Sequence, residues 1–110
     1  MKNLLITLML FFGLMSSMAS ASETIWIDVR SAEEFAAGHL KGAINIPHTE
    51  IKQQITTIAA DKNTNIALYC KSGRRAGIAL DALTELGYSK VANHGGYEDL
   101  KKQQLDDERH

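Results

Sequence analysis

The chain contains one cysteine, Cys70, and the five residues after it are Lys71, Ser72, Gly73, Arg74 and Arg75. The apolar, β-prone run Asn65 to Tyr69 precedes this segment, and a helical pattern starts at Arg75. Backbone N–H groups at a helix start have no partners within the helix, and the helix dipole favours negative charge there. Gly73 lets the backbone curl, so that several N–H groups converge on one point. Three cations flank the sulfur. A free thiol titrates near ~8.5, so a drop of about two units is needed to make thiolate the major form at neutral pH. That drop requires roughly 2.7 kcal/mol of preference for the anion. A helix terminus supplies about 0.3–1 kcal/mol. Amide hydrogen bonds to a charged group, at about 1.5–3 kcal/mol each, close the gap. The segment therefore reads as a turn built to hold a sulfur anion, either a thiolate or its persulfide. A structural cysteine in an apolar core is the plain alternative. Three cations and a glycine argue against it and for an exposed sulfur, open to mixed disulfides.

The elements that position this turn alternate. Thr24 to Val29 is β-branched and aromatic and predicts a strand. Ser31 with Glu34 three residues on predicts a capping box, opening a short helix to Ala37 that Gly38 stops. Ala43 to Ile46 predicts a second strand, ended by Pro47. Ile51, Ile55 and Ile58 mark one face of a helix beginning near Thr49. Asn65 to Tyr69 is the third strand, with Cys70 at its carboxyl end. Ala76, Ala79, Leu80, Leu83 and Leu86 share a face of the next helix, stopped by Gly87. Lys90 to Asn93 predicts a fourth strand, Gly95-Gly96 a tight turn, and Tyr97 to about Leu105 a last helix. The charged tail from Asp106 to His110 is expected to fray. Strands alternating with helices imply an α/β domain: a four- or five-stranded parallel sheet with helices on both faces. Ligands of such sheets bind at the carboxyl ends of strands, where both Asp28 and Cys70 fall.

The amino terminus carries a different signal. Lys2 precedes the uncharged stretch Leu4 to Met15, and small residues follow, ending Ala19-Ser20-Ala21. This is the pattern of a secretory signal peptide cleaved after Ala21. The apolar stretch is shorter than the ~20 residues of a membrane span. The expectation is an exported, periplasmic protein with a leader at 1–21 and one domain at 22–110, and no membrane attachment after cleavage. Lys2 leaves with the leader, so the net charge moves from −1 to −2. Nothing suggests a basic nucleic-acid surface. A single cysteine forbids an internal disulfide. His39, His48 and His94 lack the close spacing of metal ligands, so no metal is expected.

Cys70-Lys71-Ser72-Gly73-Arg74-Arg75 resembles the active-site loop of the rhodanese family of sulfurtransferases, which opens with cysteine, has glycine fourth and ends in arginine. Ile27-Asp28-Val29-Arg30 and the stretch from Phe35 through Gly38-His39 and Gly42-Ala43 to Pro47 are similar to that family's first signature. Asn93-His94-Gly95-Gly96-Tyr97 resembles its Gly-Gly-aromatic turn. Lys41 stands where the family often has proline, and Tyr97 where tryptophan is common. The resemblance implies a rhodanese-like domain that transfers sulfur in two steps. Cys70 would be the catalytic nucleophile and carry a persulfide. Thiosulfate would be the donor, and cyanide or a thiol the acceptor. The loop from Lys71 to Arg75, with Ser72, Gly73 and Arg74 between, would bind substrate, with Arg75 its closest guanidinium. Ser72 reads as a hydrogen-bond donor, since no G-x-S-x-G context surrounds it. Asp28 and Arg30 either brace the loop or pair at the surface, and His39 reads as structural. No cofactor is implied, and a monomer is expected.

Two other functions remain open. A persulfide carrier that hands its sulfur to a partner protein would load by the same chemistry. Phosphatases and arsenate reductases share the fold but place five residues between cysteine and arginine; here four separate Cys70 from Arg75. A thiol–disulfide oxidoreductase is disfavoured, because no second cysteine is present to resolve a mixed disulfide.

Overall fold

The computed structural model describes residues 23–109, so the expected leader lies outside it. Four strands form one sheet: β1 (Thr24–Asp28), β2 (Ile44–Asn45), β3 (Asn65–Cys70) and β4 (Val91–Gly96). Their order is β2-β1-β3-β4, and every neighbouring pair is parallel. The helices are α1 (Ala32–Ala37), α2 (Ile51–Ile58, entered by a 3-10 turn at His48–Glu50), α3 (Arg74–Glu85) and α4 (Tyr97–Arg109).

β3 is an inner strand, and Ile66 to Cys70 are all buried. Its near-continuous apolar run is what a parallel strand covered on both faces requires. Alternation then divides the core. Ile66, Leu68 and Cys70 point to one face with Ile27 and Val29, where Ile51 and Ile55 of α2 and Ala76, Ala79 and Leu83 of α3 cover them. Tyr69 points to the other face and meets Leu40 and Leu100 of α4, flanked by Trp26, Ala43 and Tyr97. A fully buried Ile or Leu is worth about 1.5–3 kcal/mol. The α2–α3 face, which holds most of these residues, therefore carries most of the stability.

α1 begins as its sequence dictates. Ser31 Oγ accepts from the Glu34 N–H at 3.2 Å, and Glu34 Oε1 accepts from the Ser31 N–H at 3.1 Å. Two expectations are corrected. Gly95-Gly96 is not a turn after a strand ending at Asn93; it belongs to β4. The ladder passes from Leu68↔Asn93 to Cys70↔Gly96 through a bulge that gives β4 one extra residue. Asn93 Oδ1 accepts from the Gly95 N–H at 2.9 Å and holds that bulge. The charged tail does not fray from Asp106: α4 runs to Arg109. Its residues are mostly strong helix formers, with Glu98 and Asp99 in the first turn and Arg109 in the last, each suited to the dipole.

The bulge brings Gly96 against the cysteine loop. A Cβ on Gly96 would lie 2.6 Å from the Lys71 carbonyl oxygen, and backbone cannot yield there as a flexible side chain can. Gly96→Ala is expected to lower stability by about 1–3 kcal/mol, the usual cost of overpacking. Urea unfolding of the two proteins measures this, and an unchanged midpoint would show that the loop gives way freely.

Candidate active site

Cys70 ends β3, and the chain turns at once into α3. Gly73 is the residue before the helix and adopts φ +96°, a left-handed conformation that is strained for any side chain. The turn aims the first amides of α3 at the sulfur. The Gly73 N–H donates to Cys70 Sγ at 2.9 Å and the Ala76 N–H at 3.5 Å. The Ser72 and Arg75 amides act on the sulfur as well. Burial pushes the thiol up, but the amides of Ala76, Ser72, Gly73 and Arg75 outweigh it, and Cys70 titrates below an ordinary thiol.

The sulfur is not exposed as its cation-rich surroundings suggested. Cys70 is fully buried and packs in the apolar cluster beneath α3. Backbone dipoles therefore replace water around it. The turn is pinned from β4: Asn93 Nδ2 donates to the Gly73 carbonyl at 2.8 Å, and Gly96 abuts Lys71.

The cations around the loop divide. Lys71 and Arg74 are exposed, as is Ser72. Arg75 is not a free guanidinium. It forms a two-pronged pair with Glu34 of α1, Nη1 to Oε1 at 2.7 Å and Nη2 to Oε2 at 3.0 Å. Hydrogen bonding to Arg75 holds the Glu34 carboxyl down to about 2. Glu34 thus serves α1 as its capping residue and ties α1 to the start of α3. The sequence signalled the first role only, because its partner lies 41 positions away.

Asp28 and Arg30 pair in the interior rather than at the surface. Arg30 Nε donates to both Asp28 oxygens, at 3.0 and 3.1 Å, and Nη2 donates to Oδ2 at 2.7 Å. Nη2 also donates to the Gly38 carbonyl at 2.7 Å, tying β1 to the end of α1. The guanidinium lies 4.4 Å from the centre of the Tyr97 ring and 5.8 Å from that of Tyr69. Burial works against the charge of Arg30, and the Asp28 carboxylate more than offsets it. Burial also pushes Tyr69 up to about 12, so its ring remains a neutral phenol. His39 stacks on Phe35 at 3.6 Å and donates from Nδ1 to the Phe35 carbonyl at 2.8 Å, a local structural contact. His94 lies against Trp26.

A family model described as the rhodanese-like domain matches residues 14–103. The chain belongs to the rhodanese family. Over 75 residues it is 47% identical to the thiosulfate sulfurtransferase PspE of Escherichia coli, an alignment covering 68% of this chain and 72% of that protein. Its fold is similar to that of a rhodanese from E. coli solved with anions, with a TM-score of 0.68 and 45% identity over 70% of this chain and 91% of that one. A human single-domain sulfurtransferase is similar at a TM-score of 0.65 and 28% identity, covering 82% of this chain and 90% of that one. The α/β expectation thus holds as a rhodanese fold on a four-stranded parallel sheet.

Two outcomes follow from this geometry. Gly73→Ala, by straining the turn, is expected to raise the Cys70 titration midpoint, read from ultraviolet thiolate absorbance; an unchanged midpoint would show that the amides do not set it. The shift also has a stability sign. The folded thiol titrates below the unfolded one, so its contribution is present above the unfolded pKa and is lost as pH falls through the folded value. For Glu34 the same rule gives stability that is present above 4.5 and lost as pH falls through about 2. Glu34→Gln keeps a capping residue but removes the charge, so it is expected to cost about 1 kcal/mol at neutral pH, an upper value for a partly exposed pair. The loss should shrink toward zero on acidification. Urea midpoints across pH measure it, and an equal loss at every pH would refute the ion pair as its source.

Proposed function

We propose that this rhodanese is a thiosulfate sulfurtransferase that carries sulfur through a persulfide on Cys70. The observation that carries the reading is the ring of amides on the sulfur, from the Gly73 N–H at 2.9 Å to the Ala76 N–H at 3.5 Å. An anion is favoured there without a general base. In the first half-reaction, Cys70 thiolate attacks the outer sulfur of thiosulfate. The sulfur–sulfur bond of the donor breaks, and its electron pair leaves with sulfite. In the second, a thiolate or cyanide attacks the outer sulfur of the persulfide, and the electron pair returns to Cys70 Sγ. The cycle needs no outside oxidant or reductant. One difficult transfer is split into two displacements. The exposed Lys71 and Arg74 draw the dianionic donor toward the loop. Arg75 contributes its amide to the sulfur and its guanidinium to the rim, joined to Glu34. Asp28 and Arg30 brace the loop by fixing the ends of β1 and α1. Ser72 supplies an amide rather than a nucleophile.

The loop length favours sulfur over phosphate as the transferred group. The two displacements need no cofactor, and the protein is read as acting as a monomer. Lys2, the apolar run Leu4 to Met15 and Ala19-Ser20-Ala21 support a leader at 1–21 and a periplasmic domain at 22–110. Among the described residues, no helix is long and apolar enough to cross a membrane.

Thiosulfate treatment is expected to add one sulfur (roughly 32 Da) to the protein, removable by cyanide, as a covalent intermediate requires. Cys70→Ser is expected to lose both the mass gain and thiosulfate:cyanide turnover while remaining folded. Turnover in that variant would end the mechanism. Sustained turnover with small thiols separates the enzyme from a carrier that serves one partner protein.

A further inference from the structure

The amides that act on Sγ do not belong to one rigid unit. Those of Ser72 and Gly73 come before the backbone rotations of Gly73, and those of Arg75 and Ala76 come after them. The two hydrogen bonds to sulfur fall on either side: the Gly73 N–H at 2.9 Å and the Ala76 N–H at 3.5 Å. Gly73 is therefore a pivot, and glycine is the residue type least restrained about its own φ and ψ. A rotation there carries the helix amides away from the sulfur while the loop amides stay, or the reverse. One side chain spans the pivot. Asn93 stands on β4, an edge strand, opposite Leu68 in the ladder. Its Nδ2 donates to the Gly73 carbonyl at 2.8 Å, and its Oδ1 accepts from the Gly95 N–H at 2.9 Å. The Gly73 carbonyl also accepts from the Gly77 N–H at 3.0 Å, but that bond lies within α3 and moves with it. Among the described residues, Asn93 supplies the one side-chain bond to this carbonyl. Both ends of its carboxamide are matched, a donor facing a carbonyl and an acceptor facing an N–H. The residue is exposed, so these bonds rather than burial account for its place.

We propose that Asn93 is a positioning residue for sulfur transfer: by holding the Gly73 peptide it keeps the loop amides and the helix amides converged on Sγ. The inference rests on the sulfurtransferase reading, and it deepens it. Asn93 touches neither donor nor acceptor. It acts through Gly73 on the amides, and through them on the charge of the sulfur. A pivot left free spreads the amides over several directions, and the anion then loses part of a field that was set before it formed. The bond to Gly95 serves the same end. It orients the carboxamide so that the N–H, and not the oxygen, meets the Gly73 carbonyl. An aspartate at this position would keep the shape and the acceptor for Gly95, but once ionised it has no proton for Gly73.

Three variants separate positioning from a general loosening of the edge strand. Asn93→Ala removes both bonds, and Asn93→Asp removes the donor alone. Val91→Ala loosens the same strand, because Val91 packs against the larger core cluster, and leaves the Gly73 bond in place. Thiolate absorbance followed against pH reads Cys70 in each protein without any sulfur transfer. The Cys70 midpoint is expected to rise by about one pH unit in Asn93→Ala. It is expected to rise further in Asn93→Asp, where a carboxylate also opposes the nearby anion. Val91→Ala is expected to lower the urea midpoint and to leave the Cys70 midpoint where it was. With thiosulfate, kcat/KM of Asn93→Ala is expected to fall about fivefold at a pH below both midpoints, and to approach the unmodified protein above them, as a lost thiolate fraction requires. An unchanged Cys70 midpoint in Asn93→Ala, an equal rise in Val91→Ala, or a loss of kcat/KM that is the same at every pH would each overturn the proposal. A raised midpoint in a protein that gains no sulfur from thiosulfate would instead strike the sulfurtransferase reading and leave the role of Asn93 at the amides standing.

Discussion

The structure turns on a contest at one atom. Burial of Cys70 Sγ penalises its charged form, and the amides of the α3 entry favour it. The amides win because they are held in place before any charge appears, so no reorganisation is needed when the sulfur ionises. Much of the surrounding architecture serves that arrangement. The left-handed Gly73 starts the turn, Asn93 secures its carbonyl, and the bulge in β4 lets Gly96 close on Lys71. Burial also substitutes fixed dipoles for a mobile hydration shell around Sγ, which suits the nucleophilic role proposed for Cys70, since a thiolate there has no solvent to shed before attack.

Local signals were read directly from the sequence. Ser31 and Glu34 announce a capping box because its two bonds span three residues. The apolar run to Tyr69 followed by Gly73 announces a strand end and a tight entry to a helix. Asp28 closes β1 and Arg30 lies two positions beyond it, close enough in sequence for the fork between them. What the sequence did not disclose depends on tertiary approach. The Glu34–Arg75 pair joins α1 to α3 across 41 positions. The bulge depends on a side-chain bond from Asn93 that competes with a plain turn at Gly95-Gly96. The burial of Cys70 went unseen because cations adjacent in sequence need not be adjacent to the sulfur. Lys71 and Arg74 point to solvent while Arg75 turns to Glu34.

A strand alternates its side chains, and the carboxyl end of β3 makes use of it. Tyr69, Cys70 and Lys71 are consecutive, yet the sulfur faces the α2–α3 core, and the other two face Arg30 and Tyr97 on the α4 side. The anion-holding amides therefore come from the α3 entry on one face, and the guanidinium comes from the segment after β1 on the other. Separation matters for the charge balance. Arg30 is committed to Asp28 and cannot collapse onto the thiolate, while Arg75 is committed to Glu34 and cannot bind it side-on. The hydrogen bonds that favour the anion come from neutral amides, and the Arg75 guanidinium acts on the sulfur only through space. Through both half-reactions of the proposed cycle one negative charge stays at this site, on Sγ in the thiolate and on the outer sulfur in the persulfide, and neutral dipoles let it move between the two without leaving an unpaired cation behind, which a direct ion pair at Sγ would do.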